Sequence, residues 1–148
     1  MTRIHWTVCG AVAVCLGAGL AFWCFALGPM YSHQKWSKRV RADIYSLADK
    51  RPPEINRGQW EFAIGWTINL HANCATSYTW VDRREMEPFA DELERRIRGP
   101  VDMSTIEWIW DEYVRITRHG REYSDRYRPS RSEGWQRATE GWFGIPVN

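Results

Sequence analysis

No formally charged side chain occurs between Ile4 and Gln34. Cysteine is scarce beyond that run: Cys9, Cys15 and Cys24 fall inside it, and Cys74 stands alone afterwards. No disulfide can therefore staple the rest of the chain internally, which fits a reducing compartment. The three early cysteines read as small apolar residues, and none lies close enough to a basic flank to suggest palmitoylation. A dominant sign of charge is missing too. Lys plus Arg at 20 against Asp plus Glu at 18 gives a formal net charge of +2, too balanced for an avid nucleic-acid binder. Alternating strand patterns, internal repeats and low-complexity runs are absent, which makes the fold class mainly α. So are a P-loop, a Gly-rich dinucleotide turn, HExxH, GxSxG and the kinase motif set.

What is present begins with the uncharged run itself. Trp6 to Met30 is almost wholly apolar. About 25 residues rise about 37 Å as a helix, against a hydrocarbon core of roughly 30 Å. The reading is a single transmembrane anchor over residues 1–31, with Trp6, Trp23 and Tyr31 near the interfaces and Trp23 somewhat deep for that role. A cleaved signal peptide would need a shorter apolar run and a small-residue exit. Phe25-Ala26-Leu27-Gly28-Pro29 does not supply one, nor does Val12-Ala13-Val14-Cys15 make a lipobox. Arg3 precedes the run, whereas Lys35, Lys38, Arg39 and Arg41 follow it, so the extramembrane part is expected on the cytoplasmic side. Those four basic residues are either a solvated helix face or a contact for anionic lipid headgroups. Ala13, Gly17 and Ala21 recur at i, i+4 and i+8, extended by Gly10, Cys24 and Gly28, a spacing that would let two copies pack as a homodimer.

Hydrophobic residues at 44% and charged residues at 26% rule out a disordered chain or a multi-pass bundle. One small helical domain is expected over residues 32–120, with ten tryptophans available to fill its core. Trp36, Val40, Ile44 and Leu47 form one stripe of a first helix, which Arg51-Pro52-Pro53 ends. A second helix runs from about Gln59 to Ala72, with Trp60, Ala63, Ile64, Thr67, Leu70, His71 and Cys74 on one face. No charge falls between Glu61 and Asp82, yet Asn69, His71 and Asn73 argue against a second span. The third helix takes Pro88 in its first turn and stops at Gly99-Pro100. Phe89, Leu93 and Ile97 form its buried stripe, and Asp91–Arg95, Glu92–Arg96 and Glu94–Arg98 are i, i+4 pairs. A fourth opens on a capping box, Ser104 to Glu107, and continues through Ile106, Trp110, Tyr113 and Ile116 to Gly120. Residues 121–148 read as an irregular aromatic and basic tail, including Tyr123, Tyr127, Trp135, Trp142 and Phe143.

His71-Ala-Asn-Cys74 is the one cluster with chemical potential. An imidazole and a thiol at i and i+3 could share a metal or form a nucleophile–base pair. The simpler reading is a buried histidine, hydrogen-bonded near a helix end beside a small core cysteine. No CxxC or HxxxH completes a metal site, so neither metal nor cofactor is expected. Asn69 and Asn73 flank the same turn as amides that would need partners if buried. Glu107, Asp111 and Glu112 read as a solvated face rather than an acid/base pair, and Trp60, Trp66, Trp108 and Trp110 as core. Trp135 and Trp142 stay open to cation or base stacking. The sequence thus suggests a membrane-anchored interaction or scaffold domain. The alternative is a small tethered enzyme or ligand-binding domain centred on His71, Asn69, Asn73 and Cys74.

Overall fold

The computed structural model describes residues 2–75 and 81–129, and side chains from residue 12 onward. Expectations for Trp6, Cys9 and Gly10 as side chains, and for Trp135, Trp142 and Phe143, lie outside what is described. The described residues are mainly helical. Their only strand-like pairing is an isolated antiparallel bridge, Val81 to Thr117. Two compact units divide at Lys35/Trp36.

In the first unit α1 spans Thr2–Phe22, a π-turn covers Trp23–Leu27, and α2 begins at Gly28 and ends at Ser46. Pro29 explains the π-turn. Its nitrogen has no hydrogen for the Phe25 carbonyl, so the ladder must slip nearby. The slip is at Gly28, whose N–H reaches Trp23 O, five residues back. One helical stretch here is long and apolar enough to cross a membrane, and no residue of its apolar window is buried. Val14 is 71% exposed and Phe25 83%. Gly17 has open space around it.

The second unit is built from the end of α2, a 3₁₀ turn Leu47–Lys50, and four further helices. These are α3 (Arg57–Cys74), α4 (Arg83–Ile97), α5 (Met103–Ile116) and α6 (Gly120–Tyr127). Trp36, Val40, Ile44 and Leu47 are all buried, as their spacing predicts. Every residue of the predicted α3 face, Trp60 through Cys74, is buried as well. Trp60 Nε1 donates to Leu47 O at 2.8 Å and pins α3 against the 3₁₀ turn. Phe89, Leu93 and Ile97 are buried on α4.

The helix ends differ from the sequence reading. α4 begins five residues before Pro88, because the Asp82 side chain accepts from Arg84 N at 3.0 Å and caps an earlier turn. Pro88 then sits inside the helix, where it removes one ladder bond. α5 is capped by Asp102, not Ser104: Asp102 Oδ1 takes both Thr105 N at 3.2 Å and Ser104 Oγ at 2.5 Å. α5 also stops at Ile116, since Thr117 turns extended (φ −123°, ψ 149°) to meet Val81.

The first residues of the stretch read as an irregular tail, up to Tyr127, are helical: a new helix starts at Gly120. A Cβ there would overlap Tyr113 O and lie 2.6 Å from Thr117 Oγ1, so only glycine allows α6 to leave α5 so tightly. Gly120 and Ser124 are the buried face of α6, small enough for its backbone to lie close to α5. Tyr123 and Tyr127 cover Trp66; the Trp66 and Tyr127 rings stack at 4.8 Å.

On the wet face of α4, Glu92 and Glu94 pair with Arg96 and Arg98 as expected, but Arg95 turns back to Glu92 rather than to Asp91. The guanidinium groups of Arg95 and Arg96 hold the Glu92 carboxyl down at about 2. Exposed pairs of this kind contribute little to stability individually.

Candidate functional site

His71 is the centre that brings separate helices together. α3 carries it inward, 4% exposed, between α2 and α5. Its Nδ1 lies 2.5 Å from the hydroxyl of Tyr113 on α5, and its Nε2 lies 3.0 Å from Ser37 Oγ on α2. Trp36 tilts over the ring at 6.1 Å, and Tyr113 meets it edge-on at 6.0 Å.

The order nucleophile, imidazole, orienter resembles a catalytic chain, but the orienter is uncharged. Complete burial pushes the Tyr113 phenol well above its ordinary range, so it stays neutral. It therefore gives His71 no anionic partner of the kind that stabilises an imidazolium. Each ring nitrogen instead meets a hydroxyl, a group that both donates and accepts. Ser37 also sits in the middle of α2, where its backbone N–H belongs to the helix ladder and is not free to stabilise an oxyanion.

Cys74, one turn on, is buried and hydrogen-bonded to the Thr117 side chain. Burial raises its thiol above the ordinary range, so it remains a protonated, unreactive sulfur. Among the described residues no three His, Cys, Asp or Glu side chains gather in a metal-binding arrangement.

Asn69 and Asn73 do not join this centre. At 100° per residue they lie about 160° round α3 from His71, and both are exposed. Asn73 Nδ2 donates to Asn69 O at 2.8 Å and to Tyr123 Oη at 3.4 Å, joining α3 to α6. The four-residue centre of the tethered-enzyme reading is therefore divided between two faces of one helix.

The carboxylates of α5 are also less free than their spacing suggests. Arg128, just past α6 and only 8% exposed, reaches Glu107 Oε2 at 3.1 Å and bonds to Asp111. Arg115 joins Glu112 at 2.6 Å to Glu85 at 3.0 Å. Of the four basic residues after the apolar run, Arg39 is engaged within its own domain. Its guanidinium meets Glu94 at 2.5 Å, Asp91 at 2.8 Å and Glu87 at 3.4 Å, all on α4. Trp60 and Trp110 are fully buried; Trp66 and Trp108 are partly so, with Arg96 lying over Trp108 at 4.3 Å.

No protein-family model, no curated protein and no solved structure matches this chain.

Sequence reasoning missed Ser37, Tyr113 and Arg128 as partners. Ser37 and Tyr113 lie 34 and 42 residues from His71, and no local pattern links such positions. A structural role for the triad has a direct consequence. His71→Leu and Tyr113→Phe should each destabilise the fold by about 1–3 kcal/mol, the cost of leaving a buried polar partner unpaired. The double variant should lose clearly less than the sum of the two. Chemical denaturation of the three variants checks this, and strict additivity would show that the contact stabilises nothing.

Proposed function

We propose that the chain is a single-pass membrane protein whose N-terminal helix anchors a helical interaction or scaffold domain. One observation carries the reading. Apolar side chains of α1 and the π-turn, among them Val14, Leu16, Leu20 and Phe25, are exposed, and in the described part of the apolar window none is buried. So large an apolar surface is costly in water and free of cost in hydrocarbon. The basic residues after it, Lys35, Lys38 and Arg41, favour a cytoplasmic position for the domain.

An interaction role is supported over catalysis by how the polar groups are used. His71 spends both ring nitrogens on hydroxyls that tie α3 to α2 and α5, and the Cys74 thiol is buried beside Thr117. Asn69 and Asn73 point away. Such a network fixes the packing of helices, which is how these polar side chains are used among the described residues.

The test is extraction of the intact protein from membranes with alkaline carbonate, with the N-terminus read by mass spectrometry. The anchored chain stays in the pellet and retains residues 1–30. Release to the supernatant, or a mature N-terminus near Met30, would refute the anchor.

A further inference from the structure

We propose that the outer face of α2 within the Trp36–Asn148 unit, Lys38 with Arg41, binds the acidic headgroups of a lipid bilayer. The inference rests on the anchored reading above. The first 42 residues contain no Asp or Glu; Asp43 is the first carboxylate, while Lys35, Lys38, Arg39 and Arg41 are crowded just before it. Nothing in this part of the chain offsets their charge locally.

The fold sorts these cations by direction. At 100° per residue, Arg41, Ala42 and Tyr45 all lie within about 60° of Lys38, whereas Trp36, Val40 and Ile44 lie about 120–160° away. The first group is exposed and the second is buried. Arg39, about 100° round, is drawn off by the α4 carboxylates. Among the described residues no ion pair holds Lys38 or Arg41. The Arg41 guanidinium rests over the Tyr45 ring at 5.6 Å, and Tyr45 is itself 48% exposed. What remains outward is cationic and aromatic.

Position in the chain and charge favour a lipid surface as the occupant. Lys38 and Arg41 follow Met30, the end of the apolar run, by eight and eleven residues. Basic residues this close in sequence to the end of a span are the ones that an acidic leaflet attracts. Each basic residue near an acidic leaflet strengthens attachment about fivefold.

The chain has three lysines, Lys35, Lys38 and Lys50, which makes a direct test available. Lys50 Nζ is bonded to Ile97 O and serves as the internal reference. The full chain is reconstituted in phosphatidylcholine bilayers, and in the same lipid with about 30% phosphatidylserine. Both are pulsed with a water-soluble amine-acylating reagent and read by mass spectrometry. Relative to Lys50, acylation of Lys38 is expected to slow about fivefold in the acidic bilayer and to recover in about 0.5 M salt. Arg41→Glu should remove much of that protection. An unchanged Lys38 to Lys50 ratio in a chain that still resists carbonate overturns the headgroup contact and leaves the anchor standing. Release of the chain from both bilayers by carbonate overturns the anchor, and the contact with it.

Discussion

Trp110→Ala is expected to unfold most of the helical domain. The side chain is completely buried on α5. Its Nε1 donates to Thr67 Oγ1 at 3.1 Å, and Thr67 Oγ1 in turn donates to Ala63 O at 2.8 Å on α3. Tyr123 of α6 stacks against its ring at 6.1 Å. One residue therefore joins three helices. Trp→Ala in a core costs about 3–5 kcal/mol, against a total of about 5–15 kcal/mol for a whole domain. Trp66→Ala provides the comparison. Trp66 is only partly buried and stacks on Tyr127, so its loss is expected to cost nearer 1–2 kcal/mol. Urea denaturation of the full chain in mild detergent, followed by far-UV circular dichroism, measures both. A smaller loss for Trp110→Ala than for Trp66→Ala would mean that the α3–α5–α6 contact is not where the stability lies.

The second large effect concerns the proposed anchor. Leu16 and Leu20 are exposed and lie near the middle of the uncharged run from Ile4 to Gln34. An arginine near the centre of a span costs about 2.5–3.5 kcal/mol on insertion scales, so Leu16→Arg with Leu20→Arg opposes insertion by about 5–7 kcal/mol. The double variant should move from the carbonate-resistant to the extractable fraction. Leu16→Phe, which keeps the surface apolar, should stay behind. The helical domain lies wholly in the other compact unit, so its circular dichroism signal should not depend on either change. Retention of the double arginine variant in the membrane would show that another part of the chain attaches it.

Where the chain repeats an apolar residue at helical spacing, the fold could be read directly. The seven residues from Trp60 to Cys74 illustrate this: the face they define in the sequence is the face that is buried. Helix ends were less legible. Ser104 and Asp102 both suit a cap, and Pro88 suits a first turn, but Asp82 and Asp102 hold the earlier backbone hydrogens. α6 escaped notice because its inward residues, Gly120 and Ser124, carry almost no apolar signal. Their smallness was the available clue, together with Tyr123 and Tyr127 at i and i+4.

For the candidate site the division is sharper. That His71 and Cys74 share a face follows from their spacing; the same spacing sets Asn69 and Asn73 about 160° from His71, which the alternative centred on all four residues overlooked. Periodicity is a property of neighbouring residues on one backbone, and the sequence by itself determines it: the uncharged run, the mainly helical class and the buried stripes. The joining of His71 to Ser37 and Tyr113, of Arg39 to the α4 carboxylates, and of Arg128 to Glu107 and Asp111 was decided only by the tertiary structure. A hydrogen bond or ion pair needs its two atoms within about 3 Å. Residues dozens of positions apart meet that condition only once helix packing has set where each axis lies.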